Sequence, residues 1–448
     1  MVGRKPSLFG SNKKTALKGR HTSRPKKAPK QEEDEEILST PTRKPKEKKR
    51  SPRRDVQPSA PQQQLSTEDK RRMRQQRQRR RTIWRIVIVA AVVILTVVVW
   101  LNWDVLAPNK LWASFQDAIS GGVGGYPVNV SGNTICRLDQ VEDYTVLLTD
   151  SHLAYRNKEG AEVSRYTCTY AKPLMRTEGE YVLVAEQGGR RLQLSTRSDV
   201  EQELESEYKI RSVSLNAKGQ FAVLTDGPQG YTVQITIYDK NGKTIYTRKS
   251  NRLVSDVALS PDGTTLSAVS VEETDGTLST RLEVFSLSSA ASDAQCTYQA
   301  QDTLLYRAAY LSDNTLVAVG EHTLVLMNTA DGGVSLYSME GKYLLGYAVG
   351  GDTVALAMRP YGDTAGGEVV VLTSAGSEKL RLPFEGEFRH LSGGEGRYAL
   401  LTDSAAQALT ADGVEHTVSV PADGRQVVFA EGQLVVMGLN QMDAYPME

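Results

Sequence analysis

Eight times between residues 143 and 432 the chain repeats one local pattern, a tight turn followed at once by a short, almost wholly apolar strand. The turns recur at Asp143, Gly179, Gly219, Gly263, Asn314, Gly351, Gly396 and Gly432, at spacings of 36 to 51 residues. The strands behind them read YTVLLTD, YVLVAEQ, FAVLTDG, LSAVSVE, LVAVGEH, VALAMRP, YALLTDS and LVVMGLN, beginning at Tyr144, Tyr181, Phe221, Leu266, Leu316, Val354, Tyr398 and Leu434. A strand with one wet face alternates apolar and polar residues; these do not, so each needs cover on both faces. The fullest copy spans 255–260, the turn Pro261-Asp262-Gly263, then 264–271, 281–287 and 295–299, four strands in one unit. Units of about 40 residues that bury their faces only by stacking on one another are propeller blades. The fold expected is therefore all-β, an eight-bladed β-propeller, with seven blades as the alternative. The last unit runs out of chain near Tyr445 after three strands, whereas 127–132 (PVNVSG) forms a strand with no unit of its own. Pro127, Val128 and Val130 are accordingly the candidate ring-closing residues, completing the last blade from the start of the domain.

Ahead of the repeats stands a second constraint. Residues 86–101 read IVIVAAVVILTVVVWL, in which the Thr96 hydroxyl is the only polar side-chain group apart from the Trp100 indole N–H at its end. Extended to 83–103, the run makes about 31 Å of helix at 1.5 Å per residue, the thickness of a bilayer core. Trp84, Trp100 and Trp103 stand at its ends where interfacial indoles belong, and Arg85 reaches toward the headgroups, so these four are the candidate membrane-anchor residues. Charge changes sign across the run: residues 1–85 hold 27 Lys/Arg against 9 Asp/Glu, net +18, and residues 86–448 hold 27 against 44, net −17. The positive-inside rule then predicts a single-pass protein of the cell membrane with its N-terminus cytoplasmic and its C-terminal domain extracellular. A cleaved secretory signal fits poorly, because 82 residues precede the core and Pro108 follows the candidate cleavage site.

Residues 1–65 are read as a disordered basic cytoplasmic tail, since Phe9 is their only aromatic residue. Ser66-Thr67-Glu68-Asp69 caps a basic juxtamembrane helix over 66–82. Without interleaved aromatics beside a membrane span, this cluster implies attraction to anionic lipid, about 1 kcal/mol per basic residue near the surface, and no nucleic acid is expected. Residues 104–126 form an interfacial helix and a glycine hinge (GGVGG, 121–125), and the propeller occupies 127–448.

Several stretches also resemble a known family: GYPVNVSG after the anchor, YAKPLMRTEGEYVLVAEQGGRRLQL from Tyr170, VSLNAKGQFAVLT from Val213 and VALSPDG from Val257. Together they are similar to a membrane-anchored, propeller-like domain-of-unknown-function family of Gram-positive bacteria, over roughly residues 83–445. The resemblance implies anchor and fold and carries no activity with it.

Catalytic signatures were sought along the whole chain. His21, His152, His322, His390 and His416 form no His-x-x-x-His pair and have no cysteine nearby, so each reads as an ordinary residue and no metal site is expected. Neither a Gly-x-Ser-x-Gly elbow nor a phosphate-binding Gly-x-x-x-x-Gly-Lys loop occurs. The blades contain no tryptophan, which argues against a quinone-dependent propeller dehydrogenase, and no cofactor is expected. Cys136 falls on the first strand and Cys168 at the end of the fourth strand of one blade, too far apart for a disulfide, and with Cys296 they read as small buried thiols. The acids at 199, 201, 203, 205 and 207 alternate with other residues, which predicts an outer strand protected by charge. With no catalytic residues identified, the expected function is a membrane-anchored extracytoplasmic binding or scaffold module for a surface protein, peptide or glycan, not an enzyme. A wall-glycan enzyme with carboxylates in the central pocket, or a single-pass signalling receptor, are the alternatives.

Overall fold

The computed structural model describes residues 124–447, apart from 133, 275, 289–292, 302 and 395. The tail, the juxtamembrane helix, the span 83–103 with Trp84, Arg85, Trp100 and Trp103, and the interfacial segment up to residue 123 lie outside the described residues. Among those described, no helix is long and apolar enough to cross a membrane.

Described residues form eight four-stranded antiparallel sheets. Seven follow chain order without a crossover, from Ile135–Val141 in blade 1 to Gly413–Ser419 in blade 7. In each, the turn and apolar second strand predicted from sequence follow the first strand, and the second strands start within one residue of the predicted positions. The protein is an eight-bladed β-propeller.

Packing follows from the twofold period of a strand. Val182 and Val184 point into an apolar cluster shared with blade 1, whereas Tyr181, Leu183 and Ala185 of the same strand point into one shared with blade 3. Blade 7 repeats this, sending Tyr398 and Leu400 toward blade 6 and Ala399 and Leu401 toward blade 8. Every neighbouring pair of blades shares such a cluster, and the pair formed by the last and the first is no exception. Leucines and valines in them are almost wholly inaccessible, each contributing about 1.5–3 kcal/mol of burial. The core is thus a ring of inter-blade layers.

The Ser260-Pro261-Asp262-Gly263 turn shows how the corners are made. Asp262 Oδ1 accepts from Ser260 Oγ at 2.5 Å and from the Thr264 amide at 3.0 Å, folding the loop on itself. Gly263 takes φ +66°, and a β-carbon there would collide with Gln220 of the preceding blade, so only glycine suits the position.

Blade 8 draws strands from both ends of the domain. Its inner three are Gln426–Ala430, Gln433–Met437 and Gln441–Pro446, and its outermost is Val128–Asn129. Val128 lies opposite Met442 and Asn129 opposite Gln441. The ladder is shorter than the predicted 127–132 because Asn129 Oδ1 accepts from the Ser131 amide at 2.8 Å and turns the chain. Pro127 precedes the strand, and Val130 follows it, donating its N–H to the Asn440 carbonyl at 2.9 Å while its side chain is buried in the cluster between blades 8 and 1. Two further bonds cross that seam: the Leu138 amide to Gln426 Oε1 and Gln433 Nε2 to the Lys158 carbonyl, both 2.8 Å.

The acid row forms the outermost strand of blade 2, Val200–Glu205, with Glu201, Glu203 and Glu205 exposed and Asp199 and Glu207 beyond its ends. Cys168 is buried as expected; Cys296 is only half-buried, because it opens the outermost strand of blade 4, where one side meets solvent.

Deleting residues 126–132 is expected to lower the melting temperature of the entire propeller in one cooperative transition, since it exposes an edge and uncovers the seam cluster. Thermal unfolding followed by circular dichroism checks this, and an unchanged midpoint contradicts it.

Candidate functional site

The first strand of each blade touches the first strands of both neighbours, with that of blade 8 meeting that of blade 1, so the eight surround the axis. They enclose a cavity of about 640 Å³ whose wall comes from the first strands of blades 1 to 7. These strands differ from the second strands for a simple reason. Each is the innermost strand of its sheet, paired along one edge only, and its other edge borders the cavity, so polar side chains there can keep contact with water.

Charged residues sit at corresponding depths on several strands: Arg137 and Asp139 in Ile135–Val141, Arg176 and Glu178 in Pro173–Glu178, Asp256 in Leu253–Leu259 and Arg307 in Leu305–Ser312. Tyr347 in Lys342–Gly350 and His390 in Phe388–Gly394 complete the polar wall. Asp256, only 2% exposed, is a structural hub. Its Oδ1 accepts from Ser212 Oγ of blade 3 at 2.5 Å and lies 3.5 Å from Arg307 Nη1 of blade 5, while Oδ2 accepts from the Ala308 amide at 3.1 Å. One carboxylate therefore ties three blades together.

Three guanidiniums gather around this hub. Arg176 is held below the usual arginine range by burial, with Arg307 and Arg137 adding to the depression and Asp256 opposing it. Its Nη1 donates to the carbonyl of its own neighbour, Met175, at 3.1 Å. Arg137 has a loose partner in Asp139, at 3.5 Å. Burial raises the Tyr347 hydroxyl, which the same three arginines and Asp256 all influence, so five blades project these groups into one space.

Two further carboxylates, Asp139 and Glu178, line the same cavity. Burial, then the neighbouring Asp139, raises the Glu178 carboxyl above the ordinary glutamate value. Glu178 touches the water of the cavity and is nevertheless surrounded by protein, which is why its ionised form is disfavoured without its being sealed off. Burial and Arg137 lower His390, whose Nδ1 lies 3.1 Å from the Val427 carbonyl oxygen and 3.3 Å from its amide nitrogen, across the boundary with blade 8.

In the sequence His390 looks like an ordinary residue, and nothing there marks the other wall residues as a site. His152 and His322 do lie outside the cavity, the first buried beside the Thr149 hydroxyl at 3.0 Å and the second half-buried in a bend. A usable signal was present: in the repeat register, Arg137, Arg176, Asp256 and Arg307 all fall on strands that directly precede the apolar ones. Among the described residues no group of three or more His, Cys, Asp or Glu side chains could hold a metal ion.

A family of unknown function (DUF5711) matches residues 126–444. Among solved structures, the chain is similar to the WD40 domain of Pan2 from Neurospora crassa, at 9% identity and a TM-score of 0.42 over 70% of this chain and 90% of that one. It is also similar to hydrazine synthase from Kuenenia stuttgartiensis, at 12% identity and 0.40 over 60% and 92%. A third likeness is to Hsv2 from Kluyveromyces lactis, at 15% identity and 0.34 over 46% and 72%. No curated protein matches the chain.

Two outcomes test the wall. Asp256→Ala is expected to cost about 3–5 kcal/mol, because it leaves Arg307, Ser212 and the Ala308 amide without their shared acceptor, and Asp256→Asn less; chemical denaturation measures both. For Glu178, a raised folded-state value means that its contribution is fully present below the ordinary glutamate pKa of about 4.3 and is lost as pH rises through the raised value. Glu178→Gln should therefore melt above the wild type at pH 7, with the gap closing as pH falls toward 4.

Proposed function

We propose that this chain, which belongs to the DUF5711 family of unknown function, acts as a membrane-anchored extracytoplasmic binding or scaffold module for a cell-surface protein, peptide or glycan. The single observation that carries the binding reading is the axial cavity of about 640 Å³, which charged residues of several blades line. Anchoring and orientation rest on the sequence, through the apolar run at 83–103 and the reversal of charge across it.

The two faces of the ring are unequal in a way that favours this reading. Chain entry is at the face of the first turns, where Gly124 packs beside Glu159 and Ala161 between the third and fourth strands of blade 1. On the opposite face, where first strands begin and second strands end, stand the exposed residues Leu253, Leu278, Tyr343, Tyr361 and Leu439. Tyr343 and Tyr361 contact each other with ring centroids 4.4 Å apart. A partner approaching from that side meets apolar and aromatic side chains without competing with the tether.

A second reading, hydrolysis of wall glycan, has one observation behind it. Asp139 and Glu178 face the cavity from adjacent strands, and Glu178 carries the raised carboxyl that a general acid requires.

A photo-crosslinking residue in place of Tyr361 is expected to capture a surface component on intact cells, while the same residue in place of Asp313, exposed on the chain-entry face, captures none. Equal or absent labelling at the two positions overturns the proposal. Soluble fragments released from purified wall by the wild type and not by Glu178→Gln would establish the second reading in its place.

A further inference from the structure

We propose that the axial cavity is an oxyanion receptor in which Arg137, Arg176 and Arg307 grip a carboxylate or phosphate group borne by the ligand. The proposal rests on the reading of the cavity as the ligand's point of entry.

Three observations bring it forward. Arg137, Arg176 and Arg307, from blades 1, 2 and 5, all line the one axial cavity, and of the three Arg176 is held below the usual arginine range by burial. The carboxylate among them, Asp256, is already committed to Ser212, the Ala308 amide and Arg307. Arg176 has no carboxylate within ion-pair distance among the described residues, and its five N–H donors are left with one backbone carbonyl, that of Met175.

A guanidinium held in such surroundings is costly. Burial penalises the cation, its like-charged neighbours add to the penalty, and apolar side chains of similar length would pack there without either cost. The donors of a planar fork match the two oxygens of a carboxylate or phosphate, which lowers the penalty when such a group arrives. Tyr347, protonated at neutral pH, places a hydroxyl donor beside the same arginines. Arg389, which also lines the wall, is paired with Glu387 at 3.0 Å, and Arg137 and Arg307 lie 3.5 Å from Asp139 and Asp256, so among the described wall residues the unpaired positive charge is that of Arg176. Glu178, at the turn end of its strand, disfavours anions there, while Asp139 stands level with Arg176 and is occupied by Arg137 at 3.5 Å.

The test uses the full chain in detergent, titrated separately with inorganic phosphate, sulfate, acetate and citrate against chloride at constant ionic strength, by calorimetry and by thermal unfolding. Saturable heat and a rise in melting temperature are expected for at least one of these anions. Phosphate or sulfate alone marks a phosphate-type ligand, and acetate or citrate alone a carboxylate. Arg176→Gln should weaken that binding about tenfold or more while leaving the anion-free melting temperature unchanged or higher, since it removes a desolvated cation. Arg176→Lys, which keeps the charge and loses the fork, should weaken it less. Arg381→Gln, on the outer strand of blade 6 where Arg381 pairs with Glu368 and Glu378, should leave it intact. No saturable binding of any anion, or the same stabilisation in wild type and Arg176→Gln, overturns the proposal, the latter being the general effect of excluded salts. Crosslinking from Tyr361 that succeeds while every titration fails removes the oxyanion receptor and leaves the binding module standing; the reverse pair of results removes the module and leaves the receptor.

Discussion

A strand that is apolar on both faces must be covered twice, and everything else in this propeller follows from meeting that demand eight times. One sheet cannot do it alone. Each blade therefore needs a neighbour on either side, a linear stack would leave its two end blades half wet, and the ring is the arrangement without ends. Tyr181, Leu183 and Ala185 on one side of their strand, and Val182 and Val184 on the other, are the local expression of this rule. The seam between blades 8 and 1 satisfies it with Val130, Leu138, Leu147, Val435 and Met437. Closing the ring by a strand from the start of the domain also places the chain's two ends in one blade, so the fold is complete only when segments more than 300 residues apart have met.

The same rule accounts for the chemistry at the axis. First strands border the cavity along one edge, so the constraint that excludes charge from second strands is lifted there. Arg137, Arg176, Asp256 and Arg307 line that cavity. Asp256 shows that such residues also hold the ring together, since its hydrogen bonds reach the blades before and after its own. The residues that line the axis and those that bond blade to blade are thus in part the same, as Asp256 and Arg307 show.

A propeller face is a set of loops held by a frame that does not bend, which suits recognition more than catalysis requiring a moving lid. Here the frame has a defined sidedness. The chain joins it at the face of the first turns, and the tyrosine pair of blade 6 stands on the other. The sidedness is a consequence of strand direction alone: an outermost strand that closes blade 8 must run from the turn face toward the face where blade 1 begins.

Local information in the sequence was enough for the blade count, the boundaries of the second strands, the closing role of 127–132 and the exposed acid strand. These features depend on turn residues and on the period of apolar side chains, both of which operate within about ten residues. The polar wall was not legible in the same way. Arg176 in PLMRTE and Arg307 in LYRAAYLS look like any charged residue on a strand, and His390 like any isolated histidine. Whether such a side chain faces solvent at the rim or a shared cavity at the axis depends on which strand of the blade is innermost and on how many blades surround it. Closure of the ring decides both, by bringing five separate strands to one point where their charges act on one another. The sequence by itself determined the blades; the convergence of Arg137, Arg176, Asp256, Arg307 and Tyr347 exists only in the closed ring, because electrostatic coupling falls off with distance in space and is indifferent to distance along the chain.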